Sequence, residues 1–281
     1  MTAIELEKKI IYVTGLPRSG STLLCQLLDQ HPEIYSPGHS SPLAHIIDGM
    51  RSSWSNDAFL LSQLDVDFEL VYRRLLNAYR GLFNGWFAET DLPVLVDKNR
   101  SWLGMVETVE QITPDFHMLV AIRELSQLYG SIESQHQKTQ LLDSGDRTAG
   151  MTRYGRASTF FNGEGLVARA LTAVQSAIED LPDAVKERIM YVKYERLVEA
   201  PVDVISEIHD RIGITPVPFD PARLTTHPTE SDSHYRYKYP HSTRESISAP
   251  NTHWVSDRIR SGLTGQYEWY YKAFYPDFQN Q

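Results

Sequence analysis

The stretch Ile10–His31, IIYVTGLPRSGSTLLCQLLDQH, constrains the fold of this chain more than any other. Ile10-Ile11-Tyr12-Val13 is a β-branched and aromatic run of the kind that forms a buried strand. Gly15 to Thr22 follows as a loop with glycine near both ends. The pairs Leu23-Leu24 and Leu27-Leu28 then repeat at helical spacing, so a helix starting near Gly20 packs a leucine face on a sheet. Strand, glycine-rich turn and helix N-terminus together form an anion cradle. Backbone N–H groups converge there, and the helix dipole adds partial positive charge.

The spacing Gly15-x-x-x-x-Gly20-x-Thr22 is that of a P-loop. A nucleoside triphosphatase places a lysine after the second glycine to hold the β- and γ-phosphates. Here that position is Ser21, and the cation stands earlier, at Arg18. The loop therefore suits a phosphorylated ligand other than ATP or GTP undergoing hydrolysis.

Pro17-Arg18-Ser19-Gly20-Ser21-Thr22, a leucine helix and then His31-Pro32-Glu33 resemble the 5′-phosphosulfate loop of sulfotransferases. These enzymes use 3′-phosphoadenosine 5′-phosphosulfate (PAPS). The resemblance is closest to the tyrosylprotein and bacterial branches. It implies that Pro17 to Thr22 bind the cofactor and that Arg18 also serves catalysis.

Two further signals follow in order. Arg123 ends an apolar strand, and Ser131 lies eight residues on, two turns into the next helix. A guanidinium fork and a hydroxyl there suit a phosphate dianion. The family binds the 3′-phosphate with this Arg-then-Ser spacing, although its usual Asp-Pro is replaced by Glu124-Leu125. Tyr194-Glu195-Arg196-Leu197 with Pro201 resembles the family segment whose tyrosine contacts the adenine. The resemblance covers roughly residues 10–213.

Sulfuryl transfer needs a base for the acceptor hydroxyl and cations for charge developing on the leaving phosphate. Lys98 matches a lysine of the tyrosylprotein branch. That branch carries its glutamate base where this chain reads Gly38-His39-Ser40-Ser41, so His39 is the expected base, with Glu33 in reserve. The C-terminal Arg-Lys-Gly segment of cytosolic members is absent. Lys238, Arg244 or Arg258 is expected to take over its 3′-phosphate contacts, and Lys238 belongs to a run of cations and aromatics, 231–240, suited to closing over a ligand. His227, His234, His241 and His253 fit no compact zinc spacing, so no metal is expected.

Elsewhere, Pro93–Asp97, Phe116–Ile122 and 189–194 read as strands alternating with helices. This predicts an α/β, P-loop-type three-layer fold with a central, mostly parallel sheet flanked by helices. Ligands then lie at the carboxyl ends of the strands, where every motif above falls. Residues 43–87 read as helical, 143–165 as an irregular and mobile connection, and 265–274 as a final helix. No repeat or linker appears, so residues 1–281 are expected to form a single domain.

A net charge of −9 offers no global basic surface for nucleic acid. No apolar run approaches a membrane span, Met1–Lys9 carries no leader-like segment, and Cys25 is the single cysteine. A soluble, cytoplasmic protein is expected, unlike the Golgi-membrane tyrosylprotein enzymes. The acceptor is a hydroxyl of unread identity. Trp54, Phe59, Tyr72, Phe83, Trp86, Trp102, Tyr154 and Phe160 are candidates to line its site or to belong to the core. Two rivals stand beside the sulfotransferase reading. One is a P-loop kinase or ATPase with Asp97 on its magnesium-binding strand. The other is a non-catalytic nucleotide-binding module.

Overall fold

The computed structural model describes residues 3–138, 148, 150–226, 230–231, 240–241, 243–249 and 252–280. Strands β1 (Lys9–Gly15), β2 (Ile34–Tyr35), β3 (Val94–Lys98), β4 (His117–Ile122) and β5 (Ile189–Lys193) form one sheet in the order β2-β3-β1-β4-β5. All four pairings are parallel. The sheet is thus wholly parallel where a mostly parallel one was expected. A separate antiparallel pair, β6 (Glu230–Ser231) with β7 (Pro240–His241), lies outside it.

Alternation along β1 assigns the two faces. Ile10 and Tyr12 enter one apolar cluster with Phe83, Trp102, Leu128 and Tyr271. Ile11 and Val13 enter the other with Leu24, Leu28, Ile205 and Ile208. Both faces are covered, as a parallel sheet requires. The second cluster draws on helices α1 (Ser21–Leu28) and α11 (Pro201–Ile212), with Leu197 beside them.

The segment read as helical at 43–87 is three helices: α2 (Leu43–Trp54), α3 (Ala58–Val66) and α4 (Phe68–Trp86). Asp57 and Asp67 cap the latter two by accepting from Leu60 and Leu70 N–H, which divides the run. After β3 come a 3₁₀ turn and α5 (Val106–Ile112), and after β4 comes α6 (Leu125–Gln137).

The connection expected to be irregular carries a helix in its described part, α7 (Arg153–Phe161). Its apolar face is only Ala157, Phe160 and Phe161, too short a pattern to stand out in sequence. Tertiary contacts hold it: Arg156 donates from Nε and Nη2 to Glu133 of α6 (2.8 and 2.5 Å), and both residues are buried. Residues 143–147 lie outside the described residues.

Beyond it run α8 (Leu166–Glu179), the short α9 (Asp183–Lys186) and α10 (Tyr194–Glu199). The final helix is two, α12 (Asp257–Gln266) and α13 (Glu268–Phe274), broken at Tyr267.

A buried histidine pair joins α11 to the turn after α1. The His31 and His209 rings lie 4.9 Å apart. His31 is bonded on both nitrogens, to Thr215 O and from Glu33 N–H, but neither nitrogen of His209 has a partner among the described residues. Burial, with help from His31, pushes His209 down to about 4. The unfolded chain therefore binds this proton more readily than the folded one. Stability is full above about pH 6.5 and is lost as pH falls toward 4, by on the order of 2–3 kcal/mol. Buried Asp97, pushed up to about 6 by desolvation, works in the opposite direction. Urea denaturation of wild type and His209→Asn at pH 7 and pH 5 should show a shallower acid loss in the variant. Equal slopes would assign the acid sensitivity elsewhere.

Candidate active site

The carboxyl ends of β1, β3, β4 and β5 lie along one edge of the sheet, because Val13 pairs with Lys98, Gly15 with Ala121 and Ile122 with Lys193. The loop after β1 is fixed by its backbone. Gly15 has φ +128°, and a Cβ there would meet the Ala121 carbonyl oxygen at 2.1 Å. Only glycine fits such an approach. Leu16 N–H donates to Ala121 O (3.0 Å), and the Ser19 hydroxyl donates to Leu16 O (2.6 Å). Pro17 and Ser19 are buried and shape the loop from within. Arg18 takes φ +62°, unusual for a residue with a side chain. Gly20, at φ +89°, starts α1 with no side-chain cap, and a Cβ on it would strike the Tyr194 ring at 2.5 Å.

The loop opens into a cavity of about 720 Å³, a size suited to a nucleotide plus a second substrate. One end holds Arg18, Arg123, Ser131 and Tyr194. Arg18 Nε donates to Ser131 Oγ (3.3 Å), and Arg123 Nη1 donates to Arg18 O (3.2 Å). The Arg123 guanidinium lies 4.4 Å from the Tyr194 ring centre. Arg123 is buried, and its Nε has no partner among the described residues. Burial is the main cause pushing its pKa down, opposed by Tyr194 and Glu195. A bound dianion would supply the missing acceptor and countercharge.

Lys98 lines the same cavity. It is buried, and its ammonium donates to Thr22 Oγ1 (3.3 Å) and Gly38 O (2.5 Å). Asp97, one residue earlier, points the other way, as strand alternation demands. It is fully buried, accepts from Trp102 Nε1 (2.6 Å) and is not on the cavity wall. The kinase reading thus loses its magnesium carboxylate. Among the described residues, no group of three His, Cys, Asp or Glu could hold a metal.

His39 and Glu33 are exposed and do not line the cavity. His39 sits between Gly38, which accepts from Lys98, and Ser40, which bridges to Lys98. The imidazole on the wall belongs to His45, with Asp48 one turn on, both on α2. The start of α2 is bolted to the end of β3: Ser41 N–H donates to Lys98 O (2.9 Å), and Asn99 Nδ2 donates to Ser41 O (2.6 Å). Sequence gave no reason to single out His45, since an exposed helical histidine has no local signature.

Of the three cations offered for the missing C-terminal contacts, Arg244 lines the cavity. Arg258 instead lies 3.9 Å over Tyr154, and Lys238 falls outside the described residues. Arg244 belongs to a strap, 243–249, most of which also lines the cavity. Buried Gln26 of α1 anchors it by donating to Arg244 O (2.6 Å) and Thr225 O (2.9 Å). None of the eight aromatics proposed for an acceptor site is on the wall. Phe83, Trp102 and Phe160 are core. The wall also includes the apolar Ala44, Met105, Leu166, Ala170 and Ala173, with Arg169 among them and Arg100 near Lys98.

A sequence model described as the sulfotransferase family matches residues 11–219, spanning the loop, Lys98, Arg123, Ser131 and Tyr194. The chain belongs to the sulfotransferase family. Protein-tyrosine sulfotransferase A of Caenorhabditis elegans is 23% identical over 206 residues, covering 71% of this chain and 49% of that protein. A Caenorhabditis briggsae relative is 22% identical over 204 residues, covering 72% of this chain and 64% of its own length. The chain thus spans 49% and 64% of the length of these two relatives, less than two thirds of each.

Among solved structures, the sulfotransferase domain from the curacin biosynthetic pathway superposes with a TM-score of 0.53 at 17% identity, covering 93% of this chain and 98% of that one. The sulfotransferase from Alicyclobacillus acidocaldarius gives 0.52 at 14% identity, covering 93% and 92%. Both share the α/β fold of this sulfotransferase. Among its described residues no helix is long and apolar enough to cross a membrane.

Proposed function

We propose that this sulfotransferase, residues 1–281 acting as one domain, transfers a sulfuryl group from PAPS to an acceptor hydroxyl. The carrying observation is the convergence of buried Arg123 and Ser131 with the Arg18 loop, on one cavity wall with Lys98. Arg123 and Ser131 hold the 3′-phosphate, while Tyr194 and Arg244 flank the nucleotide. Pro17 to Thr22 present backbone N–H groups to the 5′-phosphosulfate. PAPS supplies an activated sulfuryl group.

The acceptor oxygen forms the new S–O bond as the S–O bond to the 5′-phosphate breaks. The acceptor proton passes to a histidine. The loop N–H groups, Arg18 and Lys98 stabilise the charge left on phosphate. His39 is the base by its place in the sequence, and His45 is a second reading favoured by its place on the cavity wall. Cys25, the single cysteine and buried on α1, suits a reducing cytoplasmic setting.

The transferred group carries one negative charge, and the described site has no metal-ligand cluster. Activity with PAPS is therefore expected to survive 5 mM-scale EDTA, roughly within twofold, in an assay of sulfated product. Full inactivation reversed by magnesium or zinc would instead support phosphoryl transfer or metal catalysis. Nucleotide binding with no transfer to any hydroxyl acceptor would support a binding module.

A further inference from the structure

The two strand ends that carry Arg123 and Tyr194 are tied together by one carboxylate. Glu195 Oε1 accepts from Glu124 N–H (3.1 Å), on the residue after Arg123. Its Oε2 accepts from the Tyr275 hydroxyl (2.9 Å), just past α13. The same C-terminal segment fixes the Arg123 backbone. Tyr270 donates to Arg123 O (2.8 Å), and Tyr271 donates to Glu124 Oε1 (2.6 Å). Glu124 in turn caps α6 through Ser126 and Gln127 N–H (3.0 and 2.8 Å), the helix that carries Ser131. Tyr270, Tyr271 and Glu124 are buried.

None of Glu124, Glu195, Tyr270, Tyr271 and Tyr275 lines the cavity that Arg123, Ser131 and Tyr194 line. Tyr194 is confined between the Gly20 Cα and the Arg123 guanidinium, so a shift of β5's end relative to β4's end would displace all three. A hydrogen-bonded tie across two strand ends limits that shift, and a recognition site is selective only as far as its ligating groups are held in place.

We infer that Glu195, held by Tyr275, is a positioning residue that sets Arg123 and Tyr194 for recognition of the nucleotide's 3′-phosphate. The inference rests on the PAPS reading above. It makes the C-terminal tyrosines part of the cofactor-binding machinery, beyond the span of residues that resembles the family.

The acceptor geometry and the charge of Glu195 act in opposite directions, which separates positioning from electrostatics. Glu195→Ala removes both bonds. Glu195→Gln keeps an oxygen for Glu124 N–H and offers an amide to the Tyr275 hydroxyl, but removes the negative charge beside Arg123. The test is calorimetric affinity of the full chain for 3′-phosphoadenosine 5′-phosphate (PAP) and for ADP, with urea midpoints alongside.

Glu195→Ala is expected to lower the PAP-over-ADP preference by roughly tenfold, and Tyr275→Phe by a few-fold, with ADP binding little changed. Glu195→Gln is expected to keep the preference within about twofold, or to raise it. Equal losses for PAP and ADP in both Glu195→Ala and Tyr275→Phe would make the tie a general scaffold and overturn the inference. So would an unchanged preference in both. Should Glu195→Ala fail to fold, Tyr275→Phe alone decides. A wild-type protein with no preference for PAP would count against the PAPS reading itself, before any variant is compared.

Discussion

Arg123→Ala is expected to weaken PAP binding by about 10- to 100-fold while leaving ADP within a few-fold, because a buried charge-assisted contact contributes about 1.5–3 kcal/mol. Arg123 is buried, its Nε has no partner among the described residues, and its Nη1 donates to the Arg18 carbonyl at 3.2 Å. A buried guanidinium left in this state is costly unless something anionic completes it. ADP lacks a 3′-phosphate and cannot do so. Titration calorimetry of both nucleotides reads the difference directly. Equal losses for the two would remove Arg123 from 3′-phosphate recognition.

The second large effect concerns the proton. Replacing the general base should lower the chemical step by roughly 10²–10⁴-fold, with PAP affinity nearly intact. His39→Ala tests the residue at the position of the family's glutamate. His45→Ala tests the imidazole on the cavity wall, one turn from Asp48. A larger loss in His39→Ala is the expected result, and a larger loss in His45→Ala would favour the second reading. The surviving wild-type rate should fall on the acid side, since the imidazole must be neutral to accept a proton, and that limb should disappear with the base. Single-turnover rates and PAP affinities for both variants decide. Near-normal turnover in both would put the base outside this helix start. Loss of nucleotide binding along with turnover would mark the residue as scaffold.

What the sequence made legible was local chemistry tied to strand ends. Gly15 and Gly20 could be read because their backbone roles permit nothing else, and the structure gives each a contact that any Cβ would violate. Arg123 and Ser131 could be paired because their strand-end and helix positions match the spacing of the family they resemble, and both line the cavity. Asp97 and Lys98 show how far alternation reaches. Adjacent in sequence, they face opposite sides of the sheet, and only Lys98 lines the cavity.

The rest was invisible for physical reasons. His45 sits on a helix whose placement depends on hydrogen bonds from Ser41 and Asn99 to residues far apart in sequence. Gln26 looks like an ordinary helical residue until the strap 200 or so positions later lies across it. The C-terminal tyrosines read as an amphipathic helix, and their hydroxyls acquire meaning only against Arg123, Glu124 and Glu195. Helix α7 was missed because a buried ion pair with α6, not its own pattern, holds it.

On the proposed function, the cavity takes a 3′-phosphorylated adenine nucleotide and not a magnesium triphosphate. Thermal unfolding of the wild-type chain in EDTA with PAP, ADP or ATP at equal concentration, and with ATP plus magnesium, tests it most directly, because binding raises apparent stability by mass action. The account predicts that PAP raises Tm well above the shift given by ADP or ATP, and that magnesium adds nothing. A larger shift with magnesium ATP than with PAP would contradict it.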